Sequence, residues 1–290
     1  MRYWLQLALA CGLGCGRINF DVRGDAGDAG DVQTDACVFG PFNMPTNLGI
    51  VNTASNEYAP ALRADGLELV FESDRVGGRH LYSASRASQL DSFGGVVRLD
   101  VLNSASIDVD PAYVEDGLTL YFASSRNGPS QLFVTTRLTK ADAWNAPMLV
   151  SDLMNEDMHG PTLAFDGNEL FYNHEAPAEE LVRAHRGSSW IVDGPVTELN
   201  QSVSGYPSLS HDGRSLFYMN GAGTTPRIEE ATRPDGVTAF THAAVDLQTP
   251  ASSSDDDPEI ADDGRLLLFS SDRPGGAGAM DFWMATRSCM

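Results

Sequence analysis

Carboxylates in this sequence gather at one recurring place. Glu57, Asp108 and Asp110, Glu156 and Asp157, and Asp255, Asp256 and Asp257 all lie just ahead of a proline, at Pro60, Pro111, Pro161 and Pro258. A fifth proline, Pro207, follows Ser204-Gly205-Tyr206 instead, and His159 stands beside Asp157. Such groups can do three kinds of chemistry. A protonated and an ionised carboxyl together can cleave a glycosidic bond. A ring of six to eight oxygens can hold a hard cation such as Ca²⁺. A fixed acidic rim can also receive a basic peptide or hydrogen-bond a polyol. The candidate site residues are therefore Glu57, Asp108, Asp110, Asp157, His159, Tyr206, Asp255 and Asp257. For hydrolysis the candidates narrow to Asp110, Asp157 and Glu175, and for a metal the histidines to try are His159 and His174. The plainer reading is a solvated rim with caps on strand ends. No Gly-x-Ser-x-Gly elbow, His-Glu-x-x-His pair or phosphate loop accompanies these residues.

The elements that must position them repeat five times. Pro60, Pro111, Pro161, Pro207 and Pro258 each precede an Asp-Gly pair by five residues: Asp65-Gly66, Asp116-Gly117, Asp166-Gly167, Asp212-Gly213 and Asp263-Gly264. A leucine follows three residues after each glycine and an aromatic five after it, from Leu69 and Phe71 to Leu267 and Phe269. Leu118, Leu120 and Phe122 alternate with Thr119 and Tyr121, the period of a half-buried strand. Asp-Gly ahead of it is a tight hairpin, because glycine tolerates positive φ and Asp bonds its own backbone. A third strand ends at Arg86, Arg137, Arg186, Arg233 and Arg287, and a fourth opens at Phe93, Trp144, Trp190 and Phe240.

Four strands per unit of 46 to 51 residues, without a helical period between units, predict a β-propeller. Five blades follow from the repeat count, six being the alternative. The fifth unit stops after its third strand, and residues 38–51 parallel the missing fourth. The N-terminal segment is thus expected to close the ring and remove the open sheet edge. Cys37 and Cys289 fall at that seam, where a disulfide would lock it.

The residues Pro-x-x-x-x-Asp-Gly-x-x-Leu-x-Phe, with Ser73-Asp74-Arg75 and Ser271-Asp272-Arg273 after the first and last units, resemble the WD40-like PD40 repeat of TolB-type propellers. The likeness covers about residues 38–290 and departs from the pattern in the middle units, at Ser125-Arg126, Asn173-His174-Glu175 and Asn220-Gly221. It implies a protein-interaction scaffold working through rim loops or channel mouth.

Outside the repeats, Met1-Arg2 and the apolar run Tyr3 to Leu13 read as an export signal. The small residues ahead of Cys15, or alternatively Cys11, resemble the lipobox of bacterial lipoproteins; an ordinary cleaved signal is the other reading. The expected organisation is a leader over 1–15, a Gly-Asp-Ala linker over 16–36 and a propeller over 37–290. The 290 residues carry 40 acidic and 19 basic side chains, a formal charge of −21, which excludes nucleic acid and anionic membrane surfaces as partners. Hydrophobic residues at 42% exclude a disordered chain. The sequence-based expectation is a monomeric, non-enzymatic propeller anchored by lipid in the bacterial envelope, in the periplasm or at the surface. It would bind an envelope protein or peptide, without a cofactor unless Ca²⁺. The alternative is a glycan-binding or glycan-hydrolysing propeller that uses the channel carboxylates.

Overall fold

The computed structural model describes residues 37–154, 156–164, 167–174, 179–200, 204–221, 225–243 and 245–290. The expected leader, with Cys11 and Cys15, and the Gly-Asp-Ala linker lie outside the described residues. Twenty strands form five four-stranded antiparallel sheets arranged as a propeller, so the count is five blades. The first strand, β1 (Thr46–Asn47), belongs to the last blade. Blade one holds β2 (Glu57–Leu62), β3 (Glu68–Ser73), β4 (His80–Ser85) and β5 (Gly94–Arg98). Blade two holds β6 (Asp108–Tyr113), β7 (Thr119–Ser124), β8 (Gln131–Thr136) and β9 (Met148–Leu149). Blade three holds β10 (Met158–Leu163), β11 (Glu169–His174), β12 (Glu180–Arg186) and β13 (Trp190–Pro195). Blade four holds β14 (Ser204–Leu209), β15 (Ser215–Asn220), β16 (Arg227–Thr232) and β17 (Thr241–Ala243). Blade five holds β18 (Asp255–Ile260), β19 (Leu266–Ser271) and β20 (Asp281–Thr286), with β1 as its outer strand.

Blade five closes as the repeat arithmetic requires. Thr46 pairs with Met284 and Asn47 with Trp283, while Phe39 bridges Cys289 and the Gly40 amide donates to Ser288 O at 2.9 Å. Cys37 and Cys289 are both disulfide-bonded.

The Asp-Gly pairs are turns, not chemistry. Gly66, Gly117, Gly167, Gly213 and Gly264 all take φ between 63° and 70°. The Asp65, Asp116, Asp212 and Asp263 carboxylates accept the amide two residues on, at 2.7–3.1 Å. One expectation changes here: β7 is not half-buried. Leu120, Tyr121, Phe122 and Ala123 are all buried, because each blade is covered on both faces by its neighbours. Phe71 of blade one meets Phe282 of blade five edge-on at 5.4 Å, and Phe171 of blade three meets Phe240 of blade four at 5.8 Å.

The arginine that ends each third strand joins turn, fourth strand and neighbouring blade. Arg86, Arg137, Arg233 and Arg287 donate to the carbonyl of the turn glycine at 2.6–2.8 Å. Each lies over its blade's fourth-segment aromatic, from Arg137 at 4.1 Å from Trp144 to Arg233 at 4.5 Å from Phe240. Three also reach an acid of the preceding blade: Arg137–Glu68 at 2.6 Å, Arg233–Glu169 at 2.7 Å and Arg287–Glu230 at 3.2 Å. Truncating Arg137 to alanine should lower stability by about 3 kcal/mol, through the lost buried pair and ring contact. Arg137→Lys should recover only part, since an ammonium cannot reproduce the fork. Denaturant unfolding measures both; an unchanged midpoint for the alanine variant would refute the role.

Candidate active site in the central channel

The residue ahead of each repeated proline turns inward by the same backbone device. The β-ladder slips between the residues flanking it in all five inner strands, as between Val109 and Ala112 or Asp256 and Glu259. At that slip Ala59, Asp110, Gly160, Tyr206 and Asp257 take φ of 47°, 53°, 50°, 50° and 46°. A residue before proline normally stays extended, and a non-glycine residue in the left-handed region costs on the order of 1–3 kcal/mol. The fold maintains this conformation in every blade, and all five residues border the central channel. Two of the five are small. A Cβ on Gly160 would lie 2.8 Å from Tyr206 Cα and 2.9 Å from Asn173 Oδ1, so the glycine is what lets Tyr206 seat against blade three.

Two open spaces meet at this ring. One of about 800 Å³, its mouth included, runs from the pre-proline residues to the Asp-Gly face between Leu62, Val114, Leu163, Leu209 and Ile260. The other, about 570 Å³, opens on the face where the inner strands begin and is bordered by Tyr58, Asp74, Arg79, Tyr206, Asp256 and Asp257. Tyr206 and Asp257 border both.

The junction holds four carboxyls, Glu72, Asp110, Asp256 and Asp257, with Arg79 and His159. Arg79 Nε donates to Glu72 Oε1 at 2.8 Å, and its guanidinium lies 5.1 Å from the Tyr58 ring. The Asp110 amide donates to Glu72 Oε2 at 3.4 Å, and His159 Nδ1 faces Asp110 Oδ2 at 3.1 Å. The Ala59 amide donates to Asp257 Oδ2 at 3.2 Å, and the Asp257 amide to Asp256 Oδ1 at 3.0 Å. Asp110 Oδ1 and Asn173 Nδ2 are buried without a hydrogen-bond partner. A buried carboxylate oxygen left unmatched is costly, and it marks where a bound molecule would donate.

The shared environment drives these carboxyls apart. Burial raises Asp257 well above the usual carboxylate range, and the charges of Asp256, Glu72 and Asp110 add to it. Burial likewise lifts Glu72 to about 7, against the pull of Arg79, and Asp256 to about 6. Burial would raise Asp110 too, but the hydrogen bond and charge of His159, with the charge of Arg79, hold it below its ordinary value. The surroundings thus push Asp257 towards keeping its proton and Asp110 towards losing it, a split that suits proton donor and proton acceptor.

Of the expected site residues, Asp110, His159, Tyr206 and Asp257 come together here. Glu57, Asp108 and Asp255 do not, and their place in the channel set is corrected. Two residues before the slip, they turn into their own blades and pair with the arginine of the Ser-x-Arg segment. The distances are 3.1 Å to Arg75, 2.6 Å to Arg126 and 2.7 Å to Arg273, each guanidinium lying over two rings of its blade. Asp157 accepts the Ser130 amide at 3.0 Å, tying blade three to blade two. His174 lies 4.0 Å from Glu156, away from the junction groups, and Glu175 is outside the described residues. Among the described residues no group of three or more His, Cys, Asp or Glu side chains is arranged to hold a metal ion. Glu72, Arg79, Tyr58 and Asn173 were not expected. Glu72 left a signal: its register holds Ala123, Asn173, Met219 and Ser270 in the other blades, so it is the one acid at an otherwise unacidic position.

No protein-family profile and no curated protein sequence matches this chain. Solved structures do match, at identities that show the fold alone. A TolB-type protein from Agrobacterium tumefaciens is similar over 87% of this chain and 99% of its own, at 15% identity and a TM-score of 0.51. The chain spans 55% of TolB from Acinetobacter baumannii, over 81% of its own length, at 15% identity and a TM-score of 0.49. The catalytic domain of a family 62 α-L-arabinofuranosidase from Coprinopsis cinerea is similar over 87% of this chain and 97% of its own, at 12% identity and a TM-score of 0.55. Glycoside hydrolases of families 43 and 117 are similar as well. The TolB-type propeller fold inferred from the repeats therefore stands. The expectation of a non-enzymatic protein is corrected, because many of the proteins sharing this ring are glycoside hydrolases, so the fold gives no ground for it.

Proposed function

We propose that this protein binds a glycan in the cleft on the strand-start face and hydrolyses a glycosidic bond there. Asp257 acts as proton donor to the leaving oxygen, and Asp110 as the base that activates water. The observation that carries the reading is the pair itself. Two carboxyls at one register of two blades, both bordering the channel, are pushed in opposite directions by their surroundings, the kind of split general acid–base catalysis uses. Arg79 and Glu72 form the charged backing of Asp110, and the Tyr58 and Tyr206 rings give apolar faces for a sugar. The glycoside hydrolases with the same ring support the reaction class.

A reducing-end assay over a polysaccharide panel, begun with arabinofuranosyl and xylosyl substrates, tests it together with calorimetric binding. Neither turnover nor binding across the panel would reject the reading. A pH profile adds a second test. His159 keeps Asp110 ionised, so activity falls as pH drops through the Asp110 pKa. His159→Gln should move that acidic limb of kcat/KM to higher pH by roughly 1 unit. An unmoved limb would separate His159 from the base.

A further inference from the structure

We infer that the turn-side half of the channel is the supply route for the hydrolytic water, an inference that rests on the hydrolase reading. Asp110 borders the turn-side space and not the strand-start cleft, although it sits at the junction of the two. Asp110 is 2% exposed, and its Oδ1 is buried without a hydrogen-bond partner beside this space. A sugar held between Tyr58, Arg79 and Asp256 covers the strand-start opening, so water for the base must arrive from the other end. The turn-side space has the shape for that. Polar groups such as Thr162, Ser208 and Glu259 line it among Leu62, Leu163, Leu209 and Ile260, so it can hold a file of water, and its water-sized interior of about 80 Å³ has room for several waters at roughly 10–15 Å³ each. Its far mouth is narrowed by Glu115 and His211, 3.8 Å apart, with Ala64 as a small residue on the rim.

In the step itself, the water oxygen forms a bond to the anomeric carbon while Asp110 takes its proton. The bond from that carbon to the leaving oxygen breaks, and the Asp257 proton passes to that oxygen. One water is consumed, and proton return from Asp110 to Asp257 through solvent restores both groups.

Plugging the far mouth tests the route without touching the acid, the base or the cleft. Ala64→Trp should lower kcat at least tenfold on a substrate the wild type cleaves, with KM and calorimetric glycan affinity unchanged and Ala64→Ser like wild type. Ala64→Phe is read in the same way should the tryptophan variant melt early. Wild-type kcat in either folded variant overturns the water route and leaves the hydrolase reading intact. A wild-type protein that cleaves no glycan overturns both.

Discussion

Asp110→Asn is expected to lower kcat by about 10³-fold while leaving glycan affinity within a few-fold of wild type. The amide keeps the shape of the carboxyl and cannot accept a proton, and a positioned base contributes 10²–10⁴-fold. Asp257→Asn should be as damaging for the opposite reason, because the amide cannot give up a proton. The two losses should separate by leaving group. An activated aryl leaving group needs little protonation, so Asp257→Asn recovers most of its rate on such a substrate and Asp110→Asn does not. Equal rates on both substrates would reassign the acid. Asp108→Asn is the contrasting case two residues away. Its carboxylate is locked to Arg126 at 2.6 Å, to Ser124 Oγ at 2.6 Å and to Ser104 Oγ at 2.8 Å, so its loss should lower stability. Measured kcat with a melting curve for each variant distinguishes the two roles.

The second large effect is on stability against pH. Glu259 stands on the channel wall, where the Leu62 amide and the Ser208 hydroxyl donate to it at 2.8 and 3.0 Å. Burial lifts its pKa from 4.5 to about 8, with Asp262 adding to the rise. The folded protein therefore binds this proton more tightly than the unfolded chain. Its contribution is complete below pH 4.5 and is lost as pH rises towards 8. That shift corresponds to about 5 kcal/mol as a ceiling, since the side chain borders the open channel. Glu72 and Asp256 add in the same direction. Thermal melts of the wild type should thus show a higher Tm at pH 5 than at pH 8.5. Glu259→Gln should match wild type at low pH and exceed it at pH 8.5. A variant no more stable than wild type at the higher pH would show that the carboxyl is not held neutral.

The repeat made most of the fold legible from sequence. Proline, Asp-Gly, leucine and aromatic recur in register, and a strand with its turn is set by neighbours along the chain. The same reasoning gave the ring closure, because a unit lacking its fourth strand must find it elsewhere. It failed on β7, where Tyr121 faces a neighbouring blade that only the closed ring supplies. In the site, the acids ahead of the prolines were visible as one group, yet Asp108 and Asp110 have opposite fates. The slip at Pro111 turns Asp110 to the channel and leaves Asp108 facing Arg126.

Carboxylates near four of the five repeated prolines, their spacing and the number of blades were thus determined by the sequence itself, through turn chemistry and strand period. Which carboxylates share a channel was decided by tertiary structure alone, because it depends on a left-handed backbone residue and on closure of five blades into one ring. The opposite pKa shifts of Asp110 and Asp257 depend on the same closure. Asp110, Asp257 and Glu72 come from three blades, and only when the ring excludes water around them do their charges act on one another strongly enough to separate an acid from a base.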